Sequence, residues 1–235
     1  PTQFGVVTDI TAITALTLTP ATTGIPLVAV GDSVMLGAAE ELAASGFVVD
    51  AVKSRQLISY VPELEVAKLA GALTSVVVVH LGTNGPFTDA SLGSLMSLLV
   101  DVPTVVMLTG KGDRSWMTGN NDKIRALPGD FPNVTVLDWE VLAASCEGRC
   151  FYDDGIHLTQ LGQNFYSMIV GRVLGLALPL IHIRRCRRST PRSSRWLPYH
   201  YNNADHQPTV HLGLPRTHNT YTHTITPFPL HTYTH

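Results

Sequence analysis

The chain has 235 residues, 45% of them hydrophobic and 14% charged, enough to bury the core of one α/β domain with some chain left over. That composition excludes a chain disordered throughout, and no run reaches the roughly 18 to 20 apolar residues of a membrane-spanning helix. The net charge of −2 conceals a break: residues 1–179 hold nine of the sixteen Lys+Arg and seventeen of the eighteen Asp+Glu, a formal −8, while the remainder carries seven basic residues and one acidic, a formal +6. The total charge therefore gives no support to nucleic-acid binding. The sequence starts at Pro1 with neither an initiator Met nor the basic-then-apolar pattern of a signal peptide, so it reads as a soluble piece of a longer product.

In chain order, residues 1–24 read as a linker or loosely docked arm, because Thr8 to Thr23 is rich in Thr and Ala and almost uncharged. From residue 25 to 179 strand-like and helix-like runs alternate. A strand over Pro26 to Gly31 precedes a helix from Val34 to Ser45, and a strand from Phe47 to Val52 precedes a helix from Val61 to Leu73. Ser75 to Gly82, with four consecutive valines, has the unbroken apolar pattern of a strand buried on both faces. A helix from Ser91 to Val100, a strand from Pro103 to Thr109, a helix from Asn121 to Leu127, a strand from Asn133 to Trp139 and a helix from Leu161 to Leu176 complete the pattern. The fold class expected is α/β: a three-layer α/β/α sandwich around a five-stranded parallel sheet.

Chemistry-bearing residues fall at three strand ends, where an open parallel sheet builds its active site. Ser33, in Gly31-Asp32-Ser33-Val34-Met35-Leu36-Gly37, would sit at a helix N-terminus, where free N–H groups favour developing negative charge. Asn84, in Gly82-Thr83-Asn84-Gly85, can offer its amide to an oxyanion. Asp154 and His157, in Asp154-Gly155-Ile156-His157-Leu158-Thr159, have the spacing at which a carboxylate bonds Nδ1–H of an imidazole and turns Nε2 toward a serine. Each has an ordinary structural reading as well: an N-cap, a turn residue, a loop or helix cap. Their order at successive strand ends is what assembles an acyl-transfer set, and that chemistry needs no metal or cofactor. His80, at the end of the valine strand, reads as a core histidine with a satisfied hydrogen bond rather than a crevice residue.

These stretches resemble blocks I, III and V of the SGNH (GDSL-like) hydrolase superfamily over residues 26 to 178. Within it the chain is most similar to the domains fused to acyltransferase-3 membrane modules. The narrower likeness is carried by Gly-Asp-Ser-Val-Met-Leu, Asp50-Ala51, Ser54-Arg55-Gln56, Trp116 with Asn121, and Asn133-Val134-Thr135 leading to Asp138-Trp139. The resemblance implies a flavodoxin-like sheet, Ser33 as nucleophile, His157 as base, Asp154 as its orienter, and an oxyanion hole from the Ser33 N–H, Asn84 and the N–H of Ser54. Many members have glycine where this chain has Ser54, whose β-carbon narrows the approach. Arg55 has two readings, a grip on an anionic substrate group or a surface ion pair. Trp116 and Trp139 likewise have two, stacking on sugar rings or packing a loop onto the core.

The resemblance further implies an enzyme acting on small acyl esters, acetyl foremost, of cell-surface glycans such as peptidoglycan, as esterase or O-acyltransferase. A glycan-binding module with a broken site and a stand-alone GDSL-type esterase or lipase are the alternatives. It implies a domain monomeric by itself, preceded in the full-length protein by an acyltransferase-3 membrane domain and lying on the extracytoplasmic face. In that setting Cys146 and Cys150 would form a small disulfide stiffening the loop before Asp154; two free thiols are the other reading. They complete no zinc spacing.

Residues 180–235 change character, with Arg184-Arg185-Cys186-Arg187-Arg188 followed by Thr, His, Tyr and Pro without hydrophobic period. Disorder is the default reading of such a tail. A basic segment drawn to anionic polymer or lipid, a His-rich metal-binding tract, and the product of a frameshift near Leu178 are the competing ones.

Overall fold

The computed structural model describes residues 5–13, 27–73, 75–146 and 149–176, all within the unit spanning residues 1–184. The tail at 180–235 and residues 1–4 and 14–24 of the expected arm lie outside the described residues.

Short β-branched runs become strands because their side chains pack on both faces of a pleated ribbon. They are β1 (Val6–Val7), β2 (Leu27–Gly31), β3 (Phe47–Ala51), β4 (Val76–His80), β5 (Thr104–Leu108) and β6 (Val134–Leu137), all parallel, in the order β1-β6-β5-β4-β2-β3. The period of two divides the valine strand between two cores. Val76 and Val78 join Leu42, Leu108, Tyr166 and Val170 on one face, while Val77 and Val79 join Leu64, Leu95, Met107 and Ile124 on the other. Each fully buried valine contributes about 1.5–3 kcal/mol, so β4 alone anchors both helical layers.

The helices are α1 (Ser33–Gly37), α2 (Ala39–Ala44), α3 (Leu57–Leu69), α4 (Asp89–Leu99), α5 (Met117–Asp130), α6 (Trp139–Leu142) and α7 (Gln160–Val173). Thr88 and Ser91 form a capping box that starts α4, and the Thr159 hydroxyl caps α7 through the Gly162 N–H.

Two expectations are corrected. The sheet has six strands rather than five, because Val6 and Val7, placed in the linker from sequence, pair with Val136 and Leu137 along the edge of β6. Two helices also begin four residues before their expected starts. α3 carries Pro62 and α5 carries Pro128 inside their bounds, close enough to an end that few backbone bonds are lost.

The chain runs from β2 outward to β3, then returns to the other side of β2 to lay down β4, β5 and β6. The strand order thus reverses between β2 and β4, the point beyond whose carboxyl ends an open parallel sheet places its ligand site. Ser33 follows β2 and Asn84 follows β4.

Candidate active site

Ser33 is the first residue of α1, so its backbone N–H has no acceptor within the helix. Asp32 makes this turn. It is fully buried, its Oδ1 accepts the Val34 N–H at 3.0 Å, and its Oδ2 accepts the Thr83 N–H at 3.3 Å. One carboxylate therefore ties the Ser33 turn after β2 to the Gly82–Gly85 loop after β4. Sequence reasoning assigns Asp32 no role, since its partner Thr83 is fifty-one residues away.

The Gly82–Gly85 loop is held from below by Asn120, a second residue without an expected role. Its Nδ2 donates to the Gly82 and Gly85 carbonyls at 3.1 and 2.9 Å, and its Oδ1 accepts the Phe87 N–H at 2.7 Å. Gly82 has φ +117°, and a β-carbon there would lie 3.0 Å from the Phe87 ring and 3.2 Å from the Asn120 amide. Asn84 is half-buried, and its Nδ2 donates to the Arg55 carbonyl at 3.3 Å. An amide nitrogen has two hydrogens, so a second donor remains.

His157 reaches Ser33 from the loop before α7. The Asp154 Oδ1 accepts the N–H groups of Ile156 and His157, both at 2.9 Å, which folds the loop into a turn. Asp154 Oδ2 then meets His157 Nδ1 at 2.5 Å, and His157 Nε2 lies 3.0 Å from Ser33 Oγ across 124 residues of sequence. The hydrogen bond from the His157 ring, followed by that from the Ile156 N–H, holds the Asp154 carboxyl down at about 2. With the carboxylate on Nδ1–H, Nε2 is the free acceptor facing the hydroxyl. The turn is the tip of a small hairpin. Phe151 bridges Leu158, the Tyr152 N–H donates to the His157 carbonyl, and Cys146 and Cys150 are joined by a disulfide at its root.

Ser54 lies on the loop after β3 with φ +62°, the one non-glycine residue in the left-handed region among those described. That backbone suits the glycine of the resemblance better than serine, and it costs about 1–2 kcal/mol. Arg55 makes the expected ion pair, but from a buried position rather than the surface. Its side chain is only 7% exposed, and its guanidinium donates to Asp50 Oδ1 at 2.7 Å and to the Asp50 and Gly31 carbonyls. It also lies 4.2 Å from the centre of the Tyr60 ring. Tyr60 in turn donates to Asp50 Oδ2 at 2.9 Å, and burial raises its hydroxyl pKa. The guanidinium thus braces β2 and β3 and also lies 3.5 Å from Glu63.

Trp116 is half-buried, and its Nε1–H donates to the Gly82 carbonyl at 3.1 Å, so the indole belongs to the wall of the Gly82–Gly85 loop. Trp139 is buried against Tyr166, Phe151 and Phe165 and packs the core. His80 is fully buried, with Nδ1 2.9 Å from the Tyr166 hydroxyl and its ring stacked on that of Tyr166. Desolvation lowers its pKa below 6.5, against the opposing pull of Asp32.

Known proteins are similar to this chain in sequence and in fold. No family model matches the chain. Residues of the chain are 34% identical over 158 positions to the peptidoglycan O-acetyltransferase OatA of Listeria monocytogenes, covering 66% of this chain and 25% of that protein. YrhL of Bacillus subtilis is 26% identical over 153 positions, 64% of this chain and 24% of its own length. The chain spans about a quarter of the length of these curated relatives. Among solved structures, the C-terminal catalytic domain of Streptococcus pneumoniae OatA, which carries a methylsulfonyl adduct, superposes with a TM-score of 0.57 at 20% identity, covering 64% of this chain and 93% of that one. A GDSL-like lipase from Bacteroides thetaiotaomicron superposes with a TM-score of 0.51 at 12% identity, covering 66% and 90%.

Proposed function

We propose that this chain, a member of the SGNH (GDSL-like) hydrolase superfamily, is a serine esterase or O-acyltransferase that handles small acyl groups, acetyl foremost, on surface glycans of the peptidoglycan class. The observation that carries the reading is the continuous relay from Asp154 through His157 to Ser33 Oγ. That relay is also what weighs against a purely glycan-binding role.

In the proposed reaction Ser33 Oγ attacks the ester carbonyl carbon while His157 Nε2 takes the hydroxyl proton. The carbonyl π electrons move to oxygen, and the oxyanion is received by the Ser33 N–H and the free hydrogen of Asn84, with the Ser54 N–H as a third donor. Collapse expels the sugar or other alcohol, which takes the proton from His157 and leaves an acyl-serine. Water or a second sugar hydroxyl then repeats the sequence in reverse. Asp154 stays ionised throughout and stabilises the imidazolium. Arg55 and Asp32 act as positioning residues for the loops that bear the donors.

The OatA relatives' name supplies the peptidoglycan assignment, and their greater length agrees with an acyltransferase-3 membrane domain preceding this one. On that arrangement the domain works at the extracytoplasmic face, monomeric by itself, where the Cys146–Cys150 disulfide is stable. The test is hydrolysis of a short-chain aryl acetate by the full 235-residue chain and by Ser33→Ala. Ester cleavage that survives Ser33→Ala refutes the mechanism, and an inactive wild-type chain favours the binding module. Adding a chitooligosaccharide and seeking the acetylated sugar by mass spectrometry separates transferase from esterase.

A further inference from the structure

The loop after β5, residues 110–116, touches both halves of the site, and we propose that it is a strap that sets the base hairpin against the oxyanion loop, with Lys111 as its positioning residue. The proposal rests on the serine-hydrolase reading above.

The root of the strap is fixed. The Gly110 N–H donates to Asn121 Oδ1 at 2.8 Å, and Asn121 Nδ2 returns a bond to the Gly110 carbonyl at 2.9 Å. Asn121 also donates to Glu140, and Arg125 joins Glu140 to the buried carboxylate of Asp138. From this base Lys111 reaches over the hairpin. Its Nζ donates to the Gly155 carbonyl at 3.1 Å and lies 4.3 Å from the centre of the Phe151 ring. Gly155 is at the tip, between Asp154 and His157, and Phe151 is at the root, so one ammonium holds both ends of the hairpin. Gly112, at φ +148°, lets the strap backbone pass against Ile156, where a β-carbon would lie 2.6 Å from Cγ1. At the far end Trp116 donates to the Gly82 carbonyl at 3.1 Å.

The hairpin needs such a hold. Ile156 and Leu158 are buried in the core, but the side chains of Asp154 and His157 are 44% and 45% exposed, so packing anchors the hairpin without fixing these two groups. A tilt there moves His157 Nε2 away from Ser33, and about 1 Å of misplacement costs on the order of a hundredfold in rate. A charged donor on a carbonyl is among the stronger hydrogen bonds available to resist it. Lys111 touches no reacting atom; it acts through the hairpin.

The test is Lys111→Met in the full chain, which keeps the stem on Phe151 and removes the donor. The expected result is a kcat for the aryl acetate about five- to twentyfold lower, with KM within about twofold and Tm within about 2 °C, together with faster hydrogen exchange of the Ile156 and His157 amides. Lys111→Arg restores most of the rate. Unchanged kcat with unchanged exchange, a loss confined to KM, or an Arg variant no better than Met overturns the proposal. Gly112→Ala, whose β-carbon pushes Ile156, must lower kcat in the same way; an unaffected rate overturns the strap as a whole. Ser33→Ala is assayed alongside: if it keeps its activity, the serine reading fails, while the exchange data still decide the strap.

Discussion

Replacing Asp154 by Asn isolates the electrostatic part of the relay. The Asn Oδ1 can still accept the Ile156 and His157 N–H groups, so the turn survives. What is lost is the charge that meets His157 Nδ1 at 2.5 Å. For charge centres about 4 Å apart, the attraction between imidazolium and carboxylate is about 4 kcal/mol at an effective dielectric of 20 and about 1 kcal/mol in bulk water. Both side chains are nearly half exposed, which puts this pair between those limits, at about 2 kcal/mol. The amide NH2 facing Nδ1 also disfavours the tautomer that leaves Nε2 free, adding about 1 kcal/mol. A barrier raised by about 3 kcal/mol lowers kcat by roughly a hundredfold. The assay is kcat and KM on a short-chain aryl acetate near pH 7.5, with thermal unfolding as the control for the turn. A loss under about fivefold at unchanged Tm refutes the assignment of Asp154 as orienter.

Other outcomes follow from the same geometry. Asp32→Asn sets an NH2 against the N–H of Val34 or Thr83 in a fully buried place, so stability drops by about 1–3 kcal/mol and kcat falls with it; an unchanged urea midpoint contradicts the clamp. His80, whose pKa burial lowers below 6.5, binds a proton in the unfolded chain before it does so in the folded one. Its contribution to stability is therefore whole above pH 6.5 and is lost as pH falls below it, so the urea midpoint declines from pH 7.5 to 5, and less steeply in His80→Gln. Asp154, held at about 2, behaves differently: its contribution is present above 3.8 and lost only as pH falls toward 2. Reducing the Cys146–Cys150 disulfide opens a loop with a sequence separation of four, worth about 2 kcal/mol on the chain-entropy model, or a Tm lower by several degrees. A Tm indifferent to reductant refutes that role.

The sequence by itself determined what local pattern can carry. Val76 to Val79 specify a strand buried on both faces whatever surrounds them, and the alternation of such runs with helices implies a parallel sheet. Ser33 and Asn84 were legible because their loops are short and follow strands directly, which restricts where each side chain can emerge, and Asp154 and His157 because their spacing of three lets one turn hold both. Val6 and Val7 were not legible as a strand: two residues show no period, and only the open edge of β6 gives their backbone groups partners. The early start of α3 was hidden for a related reason. Leu57 and Tyr60 are buried by the far core, and that packing outweighs the Pro62 that follows. Arg55 shows the limit most clearly, because its type and position fit a substrate contact. Only the fold brings Asp50, Tyr60, Glu63 and the Gly31 carbonyl together around it. Asp32, Asn120 and Lys111 belong with it. Their partners lie 51, 33 to 38 and 44 residues away, and long-range hydrogen bonds between loops leave no periodic trace in a sequence. Local physics picked out the candidate residues. Only the tertiary structure decided what holds them within reach of one another.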